Sequence, residues 1–269
     1  MTRQEAEIYL KTCYESCVRT ETHPVSLEWH HNKYAHSLGV AALIEDMMGQ
    51  EKELAAFSKD IKEKLYIAAV LHDIYRFSQM KNGILDTSVK HGEEGRRLLQ
   101  TKTDDLFLLL WVAHHDDTRA EDIQNDADFQ KCSPIQQDIL LKGLHALRDA
   151  DLLENSQNMM KPSFSFAYKG HFKPEIQDEI IHAIVSKRRY NGIQYLVTAY
   201  DTCASRFCWA FAYHYDFARK KHQMLNVNAC LFKHIEKLKP YSESAGFHDF
   251  EKLNRQVQII RKSVMPENV

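Results

Sequence analysis

The sequence predicts an all-α fold, a helical bundle with additional C-terminal helices packed on it. Three observations predict it. Only 9 Gly and 6 Pro punctuate 269 residues, no long stretch alternates apolar and polar residues with period two, and apolar stripes recur at helical spacing behind recognisable caps. The chain reads as a single domain over 1–269, with its core at about 29–156 and a helical extension at about 172–262. The best candidate boundary is 160–174, where Pro162, Gly170 and Pro174 mark a loop region.

Composition narrows the function classes. At 44% hydrophobic and 27% charged, the chain is an ordinary soluble globular protein able to bury a core. Lys plus Arg number 35 and Asp plus Glu 37, a net charge of −2. That balance gives no electrostatic reason to expect duplex nucleic acid or an anionic membrane as partner. The N-terminus, MTRQEAEIYLKTCYES, is polar and periodic rather than a signal peptide. The longest notable apolar run, LFLLLWVA at residues 106–113, is too short to span a bilayer. Six cysteines with no CxxC pair read as reduced, packed side chains of a cytoplasmic protein.

Taken in order, the helices place ionisable residues on apolar stripes. In YAHSLGVAALIEDMM, His36 precedes Val40, Leu43 and Ile44 at the spacings of one helix face. His72 shares a face with Leu65, Ala68 and Ala69, and Asp73 follows Ala69 and Val70. Thr103-Asp104-Asp105 is a cap with acids in the first turn, opening the helix through 106–113. On that helix His114 follows Phe107, Leu110 and Trp111, while His115 follows Leu108, Trp111 and Val112. Ser133-Pro134-Ile135-Gln136 is a capping box with Pro at the first position, and its helix runs through QQDILLKGLHALRDADLLEN. Asp151 follows Leu144 and Leu147 and faces inward, whereas Asp149 follows Lys142 and His145 and faces outward. Further helices follow from about Pro174, including EIIHAIVSKRRYNGIQYLVTAYDTCASRFCWAFAYHYDF.

A buried imidazole or carboxylate is costly unless paired, hydrogen-bonded or bound to metal. One such residue is most often a satisfied core group. Several on separate helices are better explained by a divalent cation, which compensates them together, as helical bundles do with inward side chains. The mixture of imidazole and carboxylate suits Mn, Fe, Co, Ni or Zn better than Ca, and a thiolate zinc site is not indicated.

The order His36, His72-Asp73, Asp151 resembles the H…HD…D signature of the HD superfamily of metal-dependent phosphohydrolases. LHDIYRFSQ is similar to the HDIGRFEQ stretch of one bacterial branch, with Tyr75 in place of the usual Gly. DTSVKHGEEGRRLL resembles that branch's D…S…H…G…L segment and supplies His91; WVAHHDD supplies His114; LRDADLLEN resembles the closing RDADxLDN element. The resemblance covers about residues 29–156 and rests on five spaced elements in order. It implies an HD-domain helical bundle holding divalent metal ions, one or two per chain, as Fe, Mn, Co, Ni, Zn or Mg. His36, His72, Asp73 and Asp151 would hold one ion; Asp73, His91 and His114 would hold the other. His115 is either a further ligand or a residue behind the ligands or at the surface. A doubled His also occurs in the HD-GYP phosphodiesterases, but the GYP loop is replaced here by HHDDTRAEDIQ, which argues against cyclic di-GMP as substrate.

The implied activity is hydrolysis of a phosphoester of a nucleotide or other small phosphorylated metabolite by a metal-activated water, with Asp73 bridging the ions. Arg76, one turn past His72-Asp73, would grip a second phosphate or the leaving oxygen, or else form a structural salt bridge. Lys187, Arg188 and Arg189 would line the opening or form a solvated face, Arg148 has no assigned role, and Asp86 or Asp149 would orient imidazoles. Two alternatives remain: a di-iron oxygenase of the same fold, and a non-catalytic ligand-binding regulatory protein. Duplex nucleic acid and membrane are not expected partners, and the oligomeric state is open.

Overall fold

A computed structural model describes residues 1–265 except Thr87, Thr118, residues 162–170, Asn191, Ile193 and Gln194. Its regular structure is helical apart from one short hairpin among the described residues. The chain divides into two compact units, one of Met1–Glu154 with His214–Ala218 and one of Asn155–Tyr213 with Arg219–Val269.

The first unit opens with α1 (Arg3–Thr20), whose start is fixed by a capping box between Thr2 and Glu5. Helix α2 (Pro24–Gln50) begins with Pro at its first turn and buries His36, Val40, Leu43, Ile44 and Met47. A short α3 (Lys52–Ala55) leads to α4 (Lys59–Leu71), capped by the Ser58 hydroxyl and buried over Leu65 and residues 67–71. The apolar run of α4 ends at Leu71, and His72 and Asp73 sit in the turns that follow, before α5 (Arg76–Gln79). Then comes the hairpin, β1 (Met80–Lys81) antiparallel to β2 (Ile84–Leu85). Its turn residues Asn82 and Gly83 have φ of 51° and 77°, the positive pair that a two-residue Asn-Gly turn accommodates.

Helix α6 (His91–Leu99) and helix α7 (Leu106–His114) follow. Asp105 caps α7, accepting from the Leu108 N–H at 3.2 Å, while the Thr103 hydroxyl accepts from the Asp105 N–H at 3.2 Å. The cap thus lies at the C-terminal end of the expected Thr-Asp-Asp triplet. A 3₁₀ turn (Ala120–Asn125) and α8 (Ala127–Gln130) lead to α9 (Pro134–Met159). The expected capping box at its start is present: the Gln136 N–H donates to Ser133 Oγ, and the Ser133 N–H donates to Gln136 Oε1. Trp111, fully buried, donates its indole N–H to the Leu140 carbonyl at 2.8 Å. A Cβ at Gly143 would lie 2.4–2.8 Å from that indole, so only glycine lets α9 approach α7 this closely.

One sequence expectation is corrected on α9. Asp149 does not face outward; it is 2% exposed. Its carboxylate accepts from the His214 N–H and from the Tyr215 N–H at 2.7 Å. The polar face of α9 here meets the backbone of His214 and Tyr215, whose N–H groups need an acceptor.

The second unit comprises α10 (Asp178–Val185), α11 (Ala199–Ala204), a 3₁₀ helix (Ser205–Phe211), most of α12 (Asp216–Met224), α13 (Val227–Ser244) and α14 (Glu251–Val264). Its own core joins Ile180, Ile184, Tyr200, Phe207, Leu231 and Ile260. All six cysteines are free thiols. No described helix is long and apolar enough to cross a membrane.

Candidate metal centre

Five elements of the first unit converge on one cluster. Helix α2 supplies His36, the turn after α4 supplies His72 and Asp73, the first residue of α6 is His91, the residue closing α7 is His115, and α9 supplies Asp151. His36 Nε2 lies 3.0 Å from Asp151 Oδ1 and 3.3 Å from His72 Nε2. Asp73 Oδ2 is 3.6 Å from each of these two imidazole nitrogens. On the other side, Asp73 Oδ1 is 3.1 Å from His91 Nε2 and 3.5 Å from His115 Nε2, and those two nitrogens are 3.0 Å apart. Ligands about 2.0–2.2 Å from one ion lie roughly 3–3.6 Å from one another, so these spacings fit a coordination shell. Two groups of donor atoms lie mutually within 4.8 Å among the described residues: His36, His72 and Asp151; and His72, Asp73 and His115.

The outer nitrogen of every ring is anchored. Nδ1 of His72 donates to the Ala69 carbonyl at 2.8 Å, and Nδ1 of His115 to the Val112 carbonyl at 2.7 Å. Nδ1 of His91 pairs with Asp116 at 2.8 Å, and Nδ1 of His36 with Glu154. With each Nδ1–H so engaged, the Nε2 lone pairs point into the cluster, and two pairs of them face one another. Facing lone pairs repel unless a proton or a cation lies between them.

Electrostatics agree. Burial above all, against the pull of Asp73, drives His72 down to about 3, so it is neutral. Burial and Lys33 oppose the charged form of His36, but hydrogen bonds to Asp151 and Glu154 win and raise it to about 9. Burial likewise opposes His91, and its bonds to Asp116 and Asp73 raise it. Asp73 lies well below the usual carboxylate range despite burial, held there by Lys33 and by hydrogen bonds from His115 and His91. The cluster thus favours positive charge at two places, beside His36 and beside His91. A metal ion at either place would displace a proton. The donor set of neutral imidazoles and carboxylates fits one divalent cation at each.

His114, expected in the cluster, is elsewhere. Its Nδ1 pairs with Asp117 at 2.5 Å and its Nε2 with Asp126 at 3.1 Å, so both ring nitrogens are engaged. Successive helical residues diverge by about 100°, and α7 can turn only one of the doubled histidines inward. His115 is that one. Arg148 helps hold this end of α7, donating from Nη1 to the carbonyls of His114, His115 and Asp117 at 3.3, 3.1 and 2.6 Å. Arg76 Nη1 donates to Gln79 at 2.9 Å, and its Nε stands 3.6 Å from Asp73 Oδ1. Asp86 is exposed and accepts from the Ser88 N–H, away from the imidazoles. Lys187, Arg188 and Arg189 follow α10 in the second unit, with Arg188 bonded to His182.

Three residues of the site escaped the sequence reading. Glu154 lies three positions after Asp151 on α9, so helical spacing could have found it. Lys33, whose ammonium donates to Asp73 Oδ2 at 2.6 Å, lies three before His36 and carries the same signal. Asp116 lies in a turn and had no periodic signal.

Residues 34–156 match the model of the HD domain family. No curated protein and no solved structure gives a significant match to the chain. The matched segment contains all six clustered side chains, so the part of the chain that builds the cluster is the part similar to the HD domain family.

Proposed function

We infer that the protein is a metal-dependent phosphohydrolase that cleaves a phosphoester of a nucleotide or another small phosphorylated metabolite. The HD domain family consists mostly of metal-dependent phosphohydrolases. The observation that carries the reading is the placement of Asp73. Its two oxygens face two separate donor groups, Oδ2 toward His36 and His72 and Oδ1 toward His91 and His115. One carboxylate shared in this way suits a two-ion site.

Divalent cations bound there would lower the pKa of a coordinated water and polarise a phosphate oxygen. The chain's own residues do the rest. His72 is neutral and anchored at Nδ1, so its inner nitrogen needs no reorganisation to bind. Glu154 and Asp116 fix the rings of His36 and His91. Arg76 holds a partly exposed guanidinium beside Asp73, within reach of an anionic substrate. The free thiols accord with a reducing, cytoplasmic setting.

The test is phosphate release from a panel of nucleotides and sugar phosphates by protein reconstituted with Mn, Fe, Co, Ni, Zn or Mg. Metal-dependent release, abolished in Asp73→Ala, is expected. Metal-loaded protein that releases no phosphate from any member would contradict it. The nitrogen-rich donor set also suits iron, and substrate-dependent oxygen consumption by the iron form would favour the oxygenase alternative.

A further inference from the structure

Lys33 lies one helical turn before His36 on α2, so the orientation that turns His36 toward Asp73 brings Lys33 to the same place. Its ammonium donates to Asp73 Oδ2 at 2.6 Å and stands 5.5 Å from the Trp29 ring centroid. On the other side of the same carboxylate, Arg76 Nε is 3.6 Å from Oδ1. One acid is therefore flanked by two permanent cations, more positive charge than its own ionisation balances.

These cations stand where the cluster meets solvent. The side chains of His72, His115 and Asp73 are 0%, 1% and 5% exposed, against 18% for Lys33 and 23% for Arg76. Both keep donors in hand. An ammonium has three N–H groups, of which Asp73 accepts one. Arg76 Nε is buried with no hydrogen-bond partner, while its Nη1 is held by Gln79. A buried, unused guanidinium N–H is costly unless an acceptor arrives.

We propose that Lys33, together with Arg76, binds the phosphate group of the substrate, and that this pair selects a phosphomonoester over a phosphodiester. The inference rests on the phosphohydrolase reading and adds the substrate class to it. A monoester presents a dianion with three non-bridging oxygens, enough to satisfy two cations and still face the metal donors. A diester carries one charge on two such oxygens. Arg76 supplies planar donors and Lys33 a point charge on a flexible stem, which together tolerate different leaving groups.

Orthophosphate is the probe, titrated calorimetrically into metal-reconstituted wild-type protein, Lys33→Met and Lys33→Arg, with metal per chain measured in each. Methyl phosphate and dimethyl phosphate are compared in the same way. Lys33→Met is expected to keep wild-type metal content and helicity while its phosphate affinity falls roughly ten- to a hundredfold. Lys33→Arg should recover most of that loss, and wild type should prefer methyl over dimethyl phosphate. Unchanged phosphate binding in Lys33→Met overturns the proposal, as does metal-loaded wild type that binds no phosphate. Loss of metal from Lys33→Met also overturns it, because Lys33 would then serve only to position Asp73. Wild-type protein that holds no metal contradicts the phosphohydrolase reading itself, so the two failures are distinguishable.

Discussion

His114 and His115 are neighbours in sequence with opposite fates. His115 points its Nε2 at Asp73 and His91, while His114 is tied to Asp117 and Asp126. His115→Ala should therefore lower bound metal, and His114→Ala should leave it near the wild-type value, both read by elemental analysis. Equal metal loss in the two variants would contradict the assignment. Glu154→Gln keeps the size of the side chain but weakens its hold on His36, and metal affinity should drop about 10- to 100-fold in competition with a chelator. His36, His72, Asp73 and Asp151 were legible in the sequence because a polar residue on an apolar stripe is conspicuous. The choice between His114 and His115 was not, because both follow Trp111 at helical spacings. It is decided by acids that lie beyond the helix, Asp117 and Asp126 for one ring and Asp73 for the other.

Elements hold these residues in register through a few polar ties. Arg148 on α9 is 6% exposed and bonds three carbonyls at the end of α7. Arg148→Met should destabilise the fold by about 2–4 kcal/mol, since it leaves buried acceptors unpaired. A urea melt reads this directly, and an unchanged midpoint would show the ties to be inessential. Gly143→Ala would press a methyl against Trp111 and should cost about 1–3 kcal/mol in the same assay. The helix starts at Ser133 and near Asp105 were legible because capping is local chemistry. The inward turn of Asp149 was not, since the donors it serves come from His214 and Tyr215, 65 and 66 residues away. The hairpin is too short for periodicity to reveal, although its Asn82-Gly83 pair is a local turn signal.

At the scale of the whole molecule, each unit has its own core, and each holds a histidine that burial keeps neutral, His222 buried and His145 partly so. In the second unit burial lowers His222 to about 4; in the first, burial and the neighbouring His214 lower His145 to about 4. The unfolded chain takes up these protons near pH 6.5. Between about pH 6.5 and 4 the unfolded state therefore binds more protons, and stability falls as pH falls through that window. His222→Gln should flatten the dependence by an amount on the order of 3 kcal/mol across the window, seen as a smaller shift in urea midpoint than wild type shows. A slope identical to wild type would contradict the buried neutral ring. The helical class and the HD segment were legible from caps, stripes and spacing. The 160–174 boundary marked by Pro162, Gly170 and Pro174 falls largely outside the described residues, and the change of unit comes between Glu154 and Asn155 on α9. The most direct test of the central claim is metal per chain in protein purified without chelators, measured beside Asp73→Ala with helical content checked by circular dichroism. One to two equivalents of a transition metal are expected in wild type, and near none in a variant that is still helical. Wild-type protein free of metal, or Asp73→Ala with undiminished metal, would contradict it.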